Sequence, residues 1–170
     1  WTASEISSYA FVLAEAERRN NRKALKELRA IGMPPHSYRK MLVQRKWLMR
    51  FVGIVRGMSM WRFSRILLGG PEASIVDLPN ILRGSLFAPK LMWQDISALN
   101  LVRAVPALQM PVFFFIGRHD HVVAADTSAA YFDQLSAPSK QLIWFEDSAH
   151  EPPVEEAAKF NTAMVELVLP

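Results

Sequence analysis

The sequence of 170 residues contains no cysteine. This absence excludes a disulfide scaffold, a thiolate metal site and a cysteine nucleophile, so nucleophilic chemistry would have to use another side chain. The chain also lacks an uninterrupted apolar run of roughly eighteen residues, the length that a membrane-spanning helix needs, because arginines break every candidate stretch. We therefore expect no membrane span.

Glycine is also scarce, with 7 residues, and with the 11 prolines it is too infrequent for a low-complexity sequence. Since 51% of the chain is hydrophobic, we expect a folded globular protein. The formal net charge of +4 combines two unlike regions. Residues 1–95 carry 16 Lys and Arg against 7 Asp and Glu, whereas residues 96–170 carry 4 against 9. This asymmetry indicates two units. The basic residues follow helical patterns that favour solvated helix faces, and we expect no nucleic-acid partner.

Residues 1–95 predict an all-helical unit. Ser4 offers an N-cap oxygen for a first helix, and Asn20 with Asn21 predicts a break before a second one. Gly32, followed by Pro34 and Pro35, predicts the end of that helix, because glycine accepts the left-handed cap conformation and proline cannot continue the hydrogen-bond ladder. His36 is predicted to be an exposed linker residue. A third amphipathic helix is predicted over 37–51, and shorter pieces are predicted after it, divided at Gly57, Gly69, Gly70, Pro71 and Pro79.

Residues 96–170 have a different pattern. The continuous apolar runs at 112–116 and 141–145 are typical of strands buried in a parallel sheet, and helical spacing follows each run, at 124–135 and 154–167. This order predicts a right-handed crossover that joins two parallel strands. Such a pair leaves unpaired edges, and the chain starts at Trp1 without a recognisable signal peptide. We interpret the chain as the later part of a larger doubly wound sheet protein.

Two residues with catalytic chemistry follow the predicted strands. Asp120 comes after the first strand and His150 after the second, and functional groups of open α/β sheets lie beyond the carboxyl ends of the strands. Since the two strands are joined by one crossover, we expect both loops at the same edge, where an Asp and a His could meet. The alternative interpretation is that Asp120 caps a turn and that His150 is a surface loop residue.

These loops resemble the C-terminal part of an α/β-hydrolase. A strand followed by Gly117-Arg118-His119-Asp120 matches the family's usual setting for the catalytic acid, and Ser148-Ala149-His150 matches its usual setting for the base. The helical residues 1–95 are similar to the cap of bacterial proline-iminopeptidase-like hydrolases. The residues that carry this second likeness are Ser4-Glu5, Ser8-Tyr9 and Ile31-Gly32 ahead of Pro34-Pro35.

The resemblance implies a fold class and a division of the chain. It implies the C-terminal portion of an α/β-hydrolase fold, with two parallel strands and flanking helices, preceded by an all-helical cap. Residues 1–95 would form the cap (lid) domain and residues 96–170 the C-terminal part of the core.

The resemblance also implies a serine hydrolase that cleaves an ester, amide or peptide bond through an acyl-enzyme. His150 would be the base and Asp120 the acid of a Ser-Asp-His triad. No Gly-x-Ser-x-Gly motif occurs in the chain, and the nearest match, around Ser59, lacks the second glycine. We therefore expect the nucleophile and the oxyanion-hole loop in a missing N-terminal hydrolase segment, and we expect this chain to be inactive alone.

The expected substrate is a small molecule or a short peptide. Four large aromatic side chains of the helical region are predicted to line its pocket: Trp47, Phe51, Trp61 and Trp93. The resemblance also implies an acidic cap residue that holds a substrate's free amino group, for which Glu5, Glu15 and Glu17 are the candidates. We expect no cofactor, and no metal, since consecutive residues His119, Asp120 and His121 point in different directions. A bacterial, cytoplasmic protein is expected.

Two alternatives stay open at this stage. The first is a hydrolase of the same fold with an upstream Asp nucleophile, as in dehalogenase-like and epoxide-hydrolase-like members. The second is a non-catalytic helical interaction module that binds a partner or an acidic surface. An upstream elbow with Ser, with Asp or with neither residue would separate these readings.

Overall fold

The computed structural model describes residues 2–51, 54–69 and 75–169. The helices are α1 (Thr2–Arg18), α2 (Arg22–Ile31), α3 (Tyr38–Phe51), α4 (Met60–Leu68), α5 (Leu78–Ala98), α6 (Leu101–Ala104), α7 (Ala125–Gln134), α8 (Pro152–Glu155) and α9 (Ala157–Ala163). The strands are β1 (Val112–Gly117) and β2 (Lys140–Phe145), a 3₁₀ turn covers Ile75–Asp77, and a π-helical turn covers Met164–Val168. Trp1 and the predicted break at Gly70 and Pro71 lie outside the described residues.

The helices α1, α2 and α3 pack around one apolar core. Its buried members are Tyr9, Val12, Ala16, Ala24, Leu28, Ile31, Trp47 and Leu48. Burial of apolar surface is the main force that holds such helices together, since a helix of ten residues is marginal on its own. The Tyr9 hydroxyl donates a hydrogen bond of 3.0 Å to the Leu28 carbonyl, which satisfies a polar group inside this core.

The ends of α2 lie where the sequence predicts them. Asn20 takes a positive φ of 51° between α1 and α2, and the Asn21 side chain accepts a hydrogen bond of 3.0 Å from the Ala24 N–H. At the other end, Gly32 has a φ of 74°, in the left-handed region that favours glycine, and its N–H donates to the Leu28 carbonyl. The predicted break and stop are both confirmed.

The prediction that His36 is an exposed linker residue is wrong. Its side chain is fully buried, and its Nδ1 lies 3.1 Å from Glu5 Oε1. Its Nε2 lies 2.9 Å from the Gly32 carbonyl oxygen, and Trp93 Nε1 donates a 2.8 Å hydrogen bond to the His36 carbonyl. The polar groups that allow this burial come from α1 and α5, which are distant in sequence.

Ser4 also departs from its predicted role as an N-cap. The helix α1 begins at Thr2, and Ser4 lies in its first turn, buried against the segment that follows Asp120. Its Oγ accepts a 2.8 Å hydrogen bond from the Ala124 N–H. On the same helix, the Phe11 ring stacks on the His121 imidazole, with centroids 3.5 Å apart. The first helix therefore packs directly on the segment that carries Asp120.

The strands β1 and β2 form a parallel pair in the register Val112 with Lys140 through Gly117 with Phe145. Alternate side chains of β1 face opposite sides of this sheet. Phe114 contacts Tyr131 and Phe132 of α7, whereas Phe115 contacts Phe160 of α9. Helices therefore cover both faces, and the predicted mixed α/β class, consistent with part of an α/β-hydrolase fold, is confirmed.

The prediction of one continuous final helix over 154–167 is wrong. The described chain forms α8, α9 and the π-helical turn instead, with Glu156 between the first two at φ −124° and ψ 51°. The Glu156 carboxylate accepts hydrogen bonds from the Asp147 N–H and the Ser148 hydroxyl, at 3.0 and 2.7 Å. This tertiary contact accompanies the break that local periodicity did not indicate.

The division of the chain at residue 95 stays a prediction, and α5 extends just beyond it to Ala98. Within the described ranges, no helix has the combined length and apolar character that crossing a membrane requires.

Candidate active site

Asp120 lies in the turn directly after β1. Its N–H donates to the Gly117 carbonyl at 3.1 Å, which closes a turn at the end of the strand. One carboxylate oxygen, Oδ1, accepts hydrogen bonds from the N–H groups of Val122 and Val123, at 2.8 and 3.0 Å. Aspartate commonly organises its own loop in this way. The other oxygen, Oδ2, is directed toward the neighbouring loop.

His150 lies in that neighbouring loop, which follows β2. The His119 N–H donates to the Ser148 carbonyl at 3.0 Å and so joins the two loops. Their approach is unusually close at Gly117, where an added Cβ would lie 1.8 Å from the Ala149 carbonyl oxygen. Only a residue without a side chain fits there. Gly117 therefore allows the loop that carries His150 (residues 146–151, the histidine loop) to lie across the end of β1.

The two predicted catalytic residues meet. His150 Nδ1 lies 2.8 Å from Asp120 Oδ2. The Asp120 side chain is 11% exposed and the His150 side chain 33%, so the carboxylate is sheltered while the imidazole keeps a solvent-accessible side. Because Nδ1 donates to a carboxylate, we assign the neutral ring the tautomer with a free lone pair on Nε2. Among the described residues, none hydrogen bonds to that nitrogen.

The electrostatics of the site favour protonation of His150. The hydrogen bond to Asp120 raises the pKa of His150 above its ordinary value, although partial burial and Arg45 oppose the shift. Burial instead lowers the pKa of nearby His121, only partly offset by the charge of Asp120. His150 is therefore the better proton acceptor of the two, as a general base requires.

The hydroxyls of Ser148, Ser59 and Ser4 have structural hydrogen-bond partners. Ser148 is fully buried, and its hydroxyl donates to Glu156 Oε2. Ser59 is the N-cap of α4 and accepts a hydrogen bond from the Arg62 N–H at 3.2 Å. Ser4 accepts from the Ala124 N–H. These contacts give each hydroxyl a role other than that of a nucleophile beside His150.

The four aromatic residues predicted to line a substrate pocket occupy different environments. Trp47 is buried in the helical core and donates to Glu27 Oε2 at 2.8 Å, and the Phe51 ring contacts it. Trp93 is buried beside His36. Trp61 is 69% exposed and lines a surface cavity of about 470 Å³ on α4. The structure does not bring these four side chains together.

The three acidic candidates for binding an amino group also differ. Glu15 binds Arg18 and Arg19 through its carboxylate, and Glu17 pairs with Arg29 at 3.1 Å. The hydrogen bond from Arg18 and, to a smaller extent, that from Arg19 lower the pKa of Glu15 to about 2, although burial opposes the shift. Glu5 is buried beside His36. The surface pairs neutralise Glu15 and Glu17 locally, whereas Glu5 belongs to the buried cluster.

A larger cavity of about 740 Å³ lies beside the segment that follows Asp120. Its walls come from the first turn of α1, the connection between α5 and α6, and one face of α7. Representative lining residues are Ser4, Leu101, Phe114, Val123 and Tyr131. Residues 96–102 carry no motif, so sequence reasoning missed this cavity. A search of the described part of the chain finds no cluster of three or more metal-ligating His, Asp or Glu side chains.

The two parallel strands with flanking helices are consistent with part of an α/β-hydrolase fold, and Asp120 and His150 lie at the carboxyl ends of these strands. Residues 82–157 match the family model of serine aminopeptidase, S33. A curated relative, Probable aminopeptidase YbaC of Bacillus subtilis (strain 168), is 33% identical over 98 residues. These residues make up 58% of this chain and 31% of the relative, so the chain spans about a third of that protein. No solved structure gives a significant match. These matches support a relationship to α/β-hydrolases and, more specifically, to a family of serine hydrolases.

Proposed function

We propose that Asp120 and His150 are the acid and the base of a Ser-His-Asp triad in a serine hydrolase. The 2.8 Å contact between Asp120 Oδ2 and His150 Nδ1 carries this proposal. It is supported by the raised pKa of His150 and by the accessible side of its ring. The order of Asp before His along the chain is the order of the α/β-hydrolase triad.

The nucleophile in this proposal is a serine from a segment outside residues 1–170. The chain contains no Gly-x-Ser-x-Gly motif, and the hydroxyls of Ser59 and Ser148 already have structural hydrogen-bond partners. A nucleophile elbow would have to place its hydroxyl within hydrogen-bond reach of His150 Nε2. In this proposal residues 1–170 are inactive without that segment.

The reaction would proceed through an acyl-enzyme. As the serine oxygen attacks the substrate carbonyl carbon, its proton passes to His150 Nε2, and Asp120 stabilises the imidazolium. The same proton then passes to the departing amine or alcohol as the carbon–leaving-group bond breaks. Water repeats the sequence: it loses a proton to Nε2, attacks the acyl carbon and releases the carboxylic acid, and the proton returns to the serine.

The proposed substrate is a short peptide or an aminoacyl compound with a free amino group. The match to serine aminopeptidase and the name of the curated relative support this class. Of the four predicted aromatic residues, Trp61 is the one we propose as a ligand contact, because it is 69% exposed and lines a cavity. Trp47, Phe51 and Trp93 would act indirectly, by stabilising the helices.

Steady-state hydrolysis tests the proposal in the complete polypeptide that carries these residues. Aminoacyl arylamides and a simple aryl ester serve as substrates. We expect Asp120→Asn and His150→Ala each to lower kcat/KM by about 10³-fold or more, because triad residues act as a unit. Asp133→Asn, an exposed aspartate of α7, is the matched control and should keep wild-type rates. Unchanged rates in both site variants would overturn the proposal.

A further inference from the structure

The loop that carries His150 is held by the carboxylate of Glu155. This carboxylate accepts hydrogen bonds of 3.0 Å from the N–H groups of Ala149 and Glu151, the residues on either side of the histidine. The N–H between them, that of His150 itself, donates to the Ile54 carbonyl at 3.0 Å. Three consecutive amides of this loop are thus bound by two acceptors, the Glu155 carboxylate of the following helix α8 and the distant Ile54 carbonyl.

The same carboxylate also holds a distant segment. Glu155 Oε1 accepts a hydrogen bond from the Arg56 N–H, which belongs to the connection between α3 and α4. Arg56 further approaches Asp147 of the histidine loop, at 3.7 Å between Nη1 and Oδ1, although this pair is exposed and adds little. Glu155 therefore joins the histidine loop to residues 54–56, which come from the helical half of the chain.

This arrangement constrains the backbone of His150 from two sides. The Ile54 carbonyl accepts from the His150 N–H and Glu155 accepts from the N–H groups of its two neighbours, while Gly117 lies against the carbonyls of Ser148 and Ala149. The imidazole must keep Nδ1 within 2.8 Å of Asp120, and a displacement of about 1 Å is enough to weaken catalysis strongly. A bond to an ionised carboxylate is among the stronger hydrogen bonds in proteins, which suits this task.

We propose that Glu155 is a positioning residue, whose carboxylate ties the histidine loop to residues 54–56 and thereby keeps His150 in contact with Asp120. This inference rests on the proposed function, since it assigns Glu155 a part in the same triad. Glu155 touches no reacting atom in this scheme. It acts through the backbone of His150, so the helical half of the chain helps to set the geometry of the base.

Titration of His150 by NMR tests this role in the chain itself and requires no nucleophile. Asp120, Glu151 and Arg45 are the charged groups that influence His150. We expect Glu155→Ala to lower the pKa of His150 toward its value in Asp120→Asn, because the imidazole would no longer be held within hydrogen-bond distance of the Asp120 carboxylate. The amides of Ala149, Glu151 and Arg56 should exchange with solvent about tenfold faster. A merely structural loss elsewhere would not produce this combination.

Two further variants complete the test. Glu155→Gln keeps an acceptor oxygen and should show smaller shifts in the same direction, and it serves as the deciding variant if the alanine protein does not fold. Glu151→Gln removes a nearby charge but keeps its backbone N–H contact, so amide exchange should stay at the wild-type rate. A wild-type pKa and wild-type exchange in the folded Glu155 variant would overturn the positioning role.

The two proposals fail in different ways. If His150→Ala keeps full hydrolysis, the triad is wrong, whereas the titration result for Glu155 still stands. If Glu155→Ala leaves the pKa of His150 unchanged while His150→Ala abolishes hydrolysis, the triad holds and the positioning role is wrong.

Discussion

Asp120 divides its two carboxylate oxygens between two tasks. Oδ1 accepts the N–H groups of Val122 and Val123 and fixes the turn, while Oδ2 accepts from His150 Nδ1. The two interpretations of this residue, a turn cap and a catalytic acid, are therefore compatible. A residue held by its own loop presents its second oxygen with little freedom, which favours a preorganised contact with the histidine.

The opposite pKa shifts of His150 and His121 give a prediction for these two residues. In one NMR titration, His150 should become protonated first as the pH falls, and His121 only at lower pH. The pKa of His150 is raised in the folded state, so the stability from its Asp120 contact is fully present below pH about 6.5. It is lost as the pH rises through the folded-state pKa.

For His121 the pH dependence of the stability contribution has the opposite sign. Burial lowers its folded-state pKa, so its contribution is present above its unfolded pKa and is lost as the pH falls through the lowered value. Asp120→Asn should lower the pKa of His150 more than that of His121. Equal pKa values for the two imidazoles in the wild-type chain would contradict this assignment.

Gly117 gives a second prediction. In Gly117→Ala the new Cβ would meet the Ala149 carbonyl oxygen at 1.8 Å and the Ser148 carbonyl oxygen at 2.7 Å, both backbone atoms. We expect a loss of about 1–3 kcal/mol or more in the free energy of unfolding, measured by urea denaturation. Gly84→Ala is the control: it lies on an exposed part of α5 with open space around it, and should stabilise by about 0.5–1 kcal/mol. Equal effects of the two substitutions would contradict the close loop contact.

Helix α1 packs against the segment that follows Asp120. Ser4 binds the buried Ala124 N–H, Phe11 stacks on His121, and the Ser7 hydroxyl donates to Asp126 at 3.3 Å. The helix thus supports the segment that follows the Asp120 turn.

Two serines of α1 test this support. Ser4→Ala leaves the buried Ala124 N–H without its acceptor, and we expect a loss of about 1–3 kcal/mol in the free energy of unfolding. Ser7→Ala removes an exposed hydrogen bond from the same helix to the same region and should cost less than about 0.5 kcal/mol. Comparable losses measured by denaturation would show that the buried hydrogen bond of Ser4 stabilises the protein no more than the exposed one of Ser7.

The elements with strong local signals were predictable from the sequence. The runs 112–116 and 141–145 became β1 and β2 with ends within one residue, because buried parallel strands have continuous apolar sequences. The end of α2 at Gly32 followed from its cap chemistry. The continuity of the final helix was mispredicted: the helix is interrupted at Glu156, whose carboxylate binds the Asp147 N–H and the Ser148 hydroxyl, and helical periodicity does not indicate such a contact.

Part of the candidate site was also predictable from the sequence. Asp120 and His150 follow strands whose parallel order could be inferred, so their meeting at one edge was expected. The burial of His36 and the contact of Glu155 with Arg56 were missed, because Glu5 and Arg56 are far from these residues in sequence. Such pairs depend on how the helices pack, which periodicity alone does not determine.

For the whole molecule, the helical region contacts the two loops that follow the strands of the parallel sheet. Residues 54–56 reach the histidine loop through His150 and Glu155, and α1 reaches the Asp120 segment through Ser4. Asp120 and His150, the proposed acid and base, thus meet within residues 1–170, while the proposed serine comes from outside them. This separation makes the pair testable with and without its nucleophile.

The most direct measurement is labelling of the complete polypeptide by a serine-directed phosphonate probe, followed by mass spectrometry of the modified peptide. The account predicts one labelled serine outside residues 1–170, labelled at least about a hundredfold more slowly in His150→Ala and Asp120→Asn. The Asp133→Asn control should label at the wild-type rate. Labelling that proceeds unchanged in both site variants, or that falls on Ser59 or Ser148, would contradict the assignment of Asp120 and His150 as the acid and base of a serine hydrolase.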